Sequence, residues 1–172
     1  MMDFLFNRFF GTKINILVVC TANICRSPMA HAVLREMIKA RGLTRKITVN
    51  SAGTHVPIMG LLPDKRSLMV LKENAVNIKK LKTRQFFTKD IEKFNYILVM
   101  DNKNLETIRQ RVGMEASNVK LLLENGLDVP DPYYAHPDEF RHVFNLIETA
   151  CKSFLETLII EHNLEVSLNN EV

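Results

Sequence analysis

The chain has no tryptophan, only three cysteines among 172 residues, and just six glycines and six prolines. Each scarcity closes a class. Cys20, Cys25 and Cys151 form no paired CxxC motifs and no Cys/His cluster with zinc spacing, so neither a structural metal nor a disulfide framework is expected. An odd count fits a reduced, cytoplasmic compartment better than a secreted, bridged protein. The glycines and prolines are too few for a collagenous or low-complexity chain, and no Pro/Gly/Ser-rich linker divides the sequence. No apolar run approaches the ~20 residues of a bilayer-spanning helix. Charge of one sign is also scarce: a net charge of +4 is too small to point to nucleic acid. What is there, 47% hydrophobic and 24% charged residues, suits one globular domain with a core of its own.

Two local concentrations stand out. Phe4, Phe6, Phe9 and Phe10 are four of the ten phenylalanines, and Asp3, Asn7 and Arg8 break the apolar stretch that a signal peptide would need. Residues 1–13 therefore read as an appendage, either packed on the domain or making an amphipathic contact with a membrane surface or partner. Residues 14–163 read as the domain and 164–172 as a polar tail. The second concentration is basic. Between Lys79 and Lys93 lie six Lys/Arg against Asp90 and Glu92, an excess as large as that of the whole chain. It is either the solvated flank of a helix or a landing site for an acidic or phosphorylated substrate.

Strands and helices alternate. Ile14–Val19 is a β-branched run of the kind buried in parallel sheets, and Ile47–Val49, Tyr96–Met100 and Val119–Leu123 are further strand candidates. Helical patterns run from Pro28 to about Gly42, with Ser27 as the expected N-cap, from Pro63 to Asn74, from Asp101 to about Gln110, and from Pro137 to His162. The expected fold is α/β: a doubly wound, four-stranded parallel sheet with helices on both faces. Such sheets bind ligands at the carboxyl ends of their strands, where the first strand ends at Cys20.

The segment Cys20-Thr-Ala-Asn-Ile-Cys-Arg-Ser27 lies between a strand end and a helix start. There, backbone N–H groups can converge on an anion at the positive end of the helix dipole. Arg26 brings a planar guanidinium suited to two phosphate oxygens. A cysteine in that field is favoured as the thiolate, a nucleophile aimed at phosphorus. A cysteine and an arginine at this spacing are common by chance; the strand before and the helix after make it informative. Asp131 reads by itself as a turn aspartate before proline. Paired with the cysteine loop it becomes an acid able to protonate a phenolate leaving group. Cys25 is either a small buried residue or the partner of Cys20 in a reversible disulfide. Cys151 falls in the apolar pattern of the last helix.

Val19-Cys20-Thr-Ala-Asn-Ile-Cys-Arg-Ser-Pro28 resembles the signature of the low-molecular-weight protein tyrosine phosphatases in their bacterial form. The resemblance continues through Ser51-Ala-Gly-Thr54, Thr83-Arg-Gln85, Met100-Asp101 with Asn104-Leu105, and Asp131-Pro-Tyr-Tyr134, over about residues 14–160. It implies hydrolysis of phosphotyrosine through a cysteinyl-phosphate, without metal or other cofactor. Cys20 would be the nucleophile. Arg26 and the loop Thr21, Ala22, Asn23, Ile24, Cys25 would hold the phosphate. Ser27 would hydrogen-bond the Cys20 sulfur, Ser51 would brace the loop, Asp131 would be the acid, and Tyr133 and Tyr134 would line the cleft. The implied partner is a tyrosine-phosphorylated protein, such as a bacterial tyrosine kinase of exopolysaccharide or capsule export.

The chain departs from the family in places. Ala22 stands where glycine is usual, Leu81 where animal members carry histidine, and His55–Met59 lacks the tryptophan of the animal enzymes. Three other activities compete. Arsenate reductase of this fold needs two more cysteines after the second helix, and none lies between Cys25 and Cys151. Protein arginine phosphatases carry threonine where Ile24 stands. A non-catalytic phosphoprotein-binding module would be expected to lose Cys20 or Asp131.

Overall fold

Strand β1 (Ile14–Cys20) is apolar on both sides, which only a central position in a covered sheet accommodates. Its alternation sends Ile14, Ile16, Val18 and Cys20 to one face and Leu17 and Val19 to the other. The computed structural model describes residues 13–113 and 116–166. Phe4, Phe6, Phe9 and Phe10, and most of the tail, lie outside the described residues. After β1 come α1 (Arg26–Ala40), β2 (Ile47–Gly53), α2 (Lys65–Glu73), α3 (Asp90–Lys93), β3 (Tyr96–Val99), α4 (Asn102–Val112), β4 (Val119–Leu121) and α5 (Pro137–Glu161).

The four strands are parallel, in the order β2-β1-β3-β4. Helices α1, α2 and α5 cover one face, where Phe140, Phe144, Ile147, Cys151 and Leu155 present the apolar stripe of α5 at helical spacing. Helix α4 covers the other, with Ile108 against Leu17, Val19, Ile97 and Val99. The expected doubly wound α/β fold is therefore the observed one. From β1 the chain winds outward to β2, then returns to the far side of β1 to lay down β3. The carboxyl ends of β1 and β3 thus border the topological switch point, where a crevice opens.

Local differences have local causes. Helix α1 begins at Arg26, two residues before Pro28, and its N-cap is Cys25 with no side-chain cap. Ser27, the expected cap, is buried and engaged elsewhere. Gly42 does stop the helix, at φ +67°. The basic stretch is not the flank of a long helix: it is coil and turn ending in α3, a four-residue helix too short to show a period. There Arg84 pairs with Asp90 at 2.9 Å, and Asp90 also accepts the Phe87 amide at 3.0 Å. Strand β4 ends at Leu121, short of Leu123, although the Leu122 amide still donates to the Val99 carbonyl at 2.9 Å. Among the described residues no helix is long and apolar enough to cross a membrane.

One half-buried group gives the fold a pH signature. His31 on α1 meets Ser51 Oγ on β2 at 3.2 Å, and burial together with the charge of Arg35 pushes it down to about 4. An unfolded histidine titrates near 6.5, so between about pH 6.5 and 4 the unfolded chain holds a proton that the folded chain refuses. Stability should fall as pH drops through that window. His31→Gln should remove about 2 kcal/mol of the loss, read from urea titrations at pH 7 and pH 4.5. Equal pH sensitivity in the two proteins would refute the assignment.

Candidate active site

The loop from Thr21 to Cys25 is held from behind. The Thr54 amide donates to the Cys20 carbonyl at 2.9 Å, the His55 amide to Thr21 at 2.8 Å, and the Asp64 amide to Ile24 at 2.8 Å. The amides of residues 21–26 find no protein acceptor among the described residues and lie at the start of α1, which leaves them free for a ligand. The first turn of that helix carries no acidic side chain, so nothing in it opposes an incoming anion. Asn23 makes the tight bend in the left-handed region at φ +57°. It is locked there by donating to Ser27 Oγ at 2.8 Å and accepting the Arg84 amide at 2.9 Å.

Cys20 Sγ lies 3.1 Å from Ser27 Oγ, which is also 3.2 Å from the Ala52 carbonyl. The hydroxyl has one proton and two places to send it. Beside a neutral thiol it can donate to Ala52 and accept from sulfur; beside a thiolate it can turn and donate to sulfur. The Ser27 hydroxyl thus stands beside the Cys20 sulfur. The Ser51 hydroxyl pairs with His31 on α1. The contacts to the loop from this side come from the Ala52 carbonyl near the end of β2 and from the Thr54 and His55 amides just past it.

Arg26 is almost wholly buried. Its Nη1 donates to Asp101 Oδ2 at 2.6 Å and to the Val129 carbonyl at 3.0 Å, while Nη2 reaches Asp131 Oδ2 at 2.7 Å. Burial opposes its charge, but Cys20, Asp131 and Asp101 more than offset this and hold the guanidinium above its ordinary range. Its Nε is buried with no protein partner among the described residues. Cys25 is buried, and burial followed by Asp64 pushes its thiol up to about 12, so it remains protonated near neutrality. All three cysteines are free, with Cys151 packed in the α5 core as expected.

Cys20, Thr21, Ala22, Ile24, Cys25, Arg26, Pro57, Asp131, Tyr133 and Tyr134 line one cleft of about 300 Å³. Asn23 and Ser27 sit behind it. A larger groove of about 710 Å³ runs beside β4 between α4 and α5, but it lacks this convergence of nucleophile, cation and acid. Tyr133 and Tyr134 stack edge to face, their ring centroids 4.8 Å apart, and Arg66 sits 5.5 Å from the Tyr133 ring. The Tyr133 amide donates to Asp131 Oδ1 at 3.2 Å, which fixes the loop that carries both. A strand-to-helix loop with unpaired amides, a buried arginine and a carboxylate on that arginine is an arrangement able to receive an oxyanion.

The family model for low molecular weight phosphotyrosine protein phosphatases matches residues 15–164. The chain belongs to this family. Among its relatives, the low molecular weight protein-tyrosine-phosphatase YfkJ of Bacillus subtilis is 35% identical over 157 residues, spanning 88% of this chain and 99% of YfkJ. The YfkJ crystal structure superposes with a TM-score of 0.82 and covers 90% of this chain and 99% of that one. A phosphatase of Schizosaccharomyces pombe is 37% identical over 154 residues, 85% of this chain and 97% of its own. Wzb of Vibrio vulnificus, solved with benzylphosphonate, matches at a TM-score of 0.76 and 29% identity, covering 84% of this chain and 99% of Wzb. The protein is thus a low molecular weight protein-tyrosine-phosphatase, a phosphoric monoester hydrolase.

The structure adds residues to this phosphatase site that sequence reasoning passed over. Asp101 stands in the sequence as a helix start and as part of a family motif, with no role in the site assigned to it. It does cap α4, accepting the Asn104 amide on Oδ1 at 2.6 Å, while Oδ2 takes Arg26. Asn104 Nδ2 donates to Thr21 Oγ1 at 3.1 Å, tying α4 to the loop. Gly53 is the clearest omission. A Cβ there would lie 2.6 Å from the Thr21 carbonyl oxygen, 2.6 Å from Val56 Cγ2 and 2.9 Å from the Ala22 carbonyl carbon. A glycine closing a strand opposite a ligand loop was the available signal. Gly53→Ala should push the loop off its supports, costing about 1–3 kcal/mol and weakening competitive inhibition by phosphate about tenfold or more. Thermal melts and phosphate inhibition of aryl phosphate turnover measure both, and unchanged phosphate affinity would refute the close-packing argument.

Proposed function

We propose that this phosphatase cleaves phosphotyrosine through a covalent cysteinyl-phosphate, with Cys20 as nucleophile, Arg26 and the amides of residues 21–26 as the phosphate cradle, and Asp131 as the acid. The observation that carries the reading is the convergence in one cleft of a cysteine beneath inward amides and an aspartate on the same guanidinium. The Cys20 thiolate attacks phosphorus, the P–O bond to the tyrosyl oxygen breaks, and Asp131 passes its proton to the departing phenolate. Asp131 then takes a proton from water as that water attacks phosphorus. The P–S bond breaks, releasing inorganic phosphate and the thiolate.

Arg26 and the amides hold the equatorial oxygens throughout, and the Ser27 hydroxyl steadies the sulfur when it carries charge. The cleft walls, Pro57 with Tyr133 and Tyr134, suit a flat ring attached to the phosphate. Wzb, whose structure was solved with benzylphosphonate, supports the same pairing of anion and ring here. The substrate we propose is a tyrosine-phosphorylated protein of the bacterial cytoplasm, in the first instance a tyrosine kinase of exopolysaccharide or capsule export. Residues 14–163 would form the catalytic unit.

Three measurements decide the mechanism. Cys20→Ser should abolish turnover of an aryl phosphate, and retained turnover would sink the nucleophile assignment. Asp131→Ala should lower kcat on phosphotyrosine about 10²–10⁴-fold, and much less on an ester with a good leaving group such as p-nitrophenyl phosphate. Equal losses on both would remove Asp131 from the proton transfer. A panel of phosphotyrosine, phosphoserine and phosphoarginine peptides should give turnover on the first, and preference for phosphoarginine would overturn the assignment of substrate class.

A further inference from the structure

Beyond Pro57, outside the lining of the cleft, the chain holds four large apolar side chains in water: Ile58 at 61% exposure, Met59 at 58%, Leu61 at 49% and Leu62 at 67%. The loop that carries them is clamped. The Gly60 amide donates to the Thr83 carbonyl at 2.7 Å and the Thr83 amide to Leu61 at 2.8 Å. The Thr83 hydroxyl donates to the Ile58 carbonyl at 2.9 Å and accepts the Leu61 amide at 3.0 Å. One step on, Asp64 is bonded to the phosphate loop through the Ile24 carbonyl. A clamp that keeps apolar side chains in solvent gains nothing by hydrophobic burial in the free protein. It lowers the ordering cost once another surface covers them.

The same clamp brings in the basic stretch, which runs directly into Thr83. Lys79, Lys80 and Lys82 are exposed, and none forms an ion pair among the described residues. The carboxylates of this region are already taken: Asp64 by Arg66 at 2.9 Å, Asp90 by Arg84 at 2.9 Å and Asp131 by Arg26 at 2.7 Å. The apolar strip thus leads from Pro57 of the cleft to the Thr83 clamp, and Lys82, Lys80 and Lys79 continue from that clamp along the chain toward Arg35 on α1.

We propose that this rim is a second contact for the phosphoprotein, taking the polypeptide next to the phosphotyrosine where it carries an apolar side chain followed by acidic ones. The inference rests on the phosphotyrosine reading above and names the substrate class of that same site. A chain already held by its phosphate meets the rim as an intramolecular contact, so modest burial and charge pairing are enough to discriminate. Continuity with the cleft favours this occupant over a separate lipid surface.

The test compares kcat/KM for phosphotyrosine peptides with apolar-acidic flanks and with polar-basic flanks, using p-nitrophenyl phosphate as a substrate without flanks. Wild type should favour the apolar-acidic peptide about tenfold or more. Ile58→Ser with Leu62→Ser should lose about 5–10-fold on that peptide alone. Lys80→Glu with Lys82→Glu should reverse the charge preference, more strongly at low salt. Neither variant should change turnover of p-nitrophenyl phosphate. Equal kcat/KM across peptides and variants, with that turnover intact, would overturn the proposal. It would equally be overturned if the variants lost binding to phosphatidylserine vesicles while the peptides stayed undiscriminated. Absence of p-nitrophenyl phosphate turnover in wild type would overturn the phosphatase mechanism on which it rests.

Discussion

A single buried positive charge organises this molecule. The Arg26 guanidinium lies inside the crevice between β1 and β3, and an uncompensated ion there would cost several kcal/mol. Its partners come from three separate parts of the chain: Cys20 at the end of β1, Asp101 at the end of β3, and Val129 with Asp131 in the loop before α5. The strand order places the first two side by side, and the return of the chain over the crevice brings in the third. The charge proposed to bind phosphate is thus also what gathers Cys20, Asp101 and Asp131 around one crevice.

The two carboxylates on Arg26 are not equivalent, and the difference suits their duties. Asp101 is 15% exposed, fixed on its other oxygen by the Asn104 amide, and set at the base of a helix. It can orient the guanidinium without leaving it. Asp131 is 48% exposed on a loop, with its second oxygen held only by the Tyr133 amide at 3.2 Å. Losing its hold on Arg26 costs it less, because water can replace the contact. The proposed acid is thus the more exposed of the two carboxylates on the fork.

How much of this was legible in the sequence depended on how far apart the interacting residues stand. Cys20, Arg26 and Ser27 lie within eight positions across one strand-to-helix connection, so their spacing and the strand before them made their grouping legible. The parallel sheet was legible from the runs at Ile14, Ile47, Tyr96 and Val119, because buried strands are written in β-branched residues. The pairing of Ser51 with His31 was not legible, because it is made by how α1 packs on β2, not by any local pattern. Asp101 was half read: a cap is a local signal, while its second oxygen serves a residue 75 positions away. Gly53 reads as a strand end and shows its purpose only when the phosphate loop is packed against it.

The pairing of the cleft also bears on how an acid that begins on an arginine would serve a leaving group in the proposed mechanism. Without substrate, the guanidinium faces Asp101, Asp131 and the sulfur of Cys20. A phosphate ester would compete with these groups for the same N–H donors, and the buried Nε, with no protein partner among the described residues, is one more donor in that field. Asp101 is buried more deeply and is fixed on its second oxygen by the Asn104 amide, so Asp131 is the carboxylate that an incoming anion would displace at less cost. Turned from Arg26, it would stand on the side of the cleft that the proposed mechanism gives to the leaving oxygen.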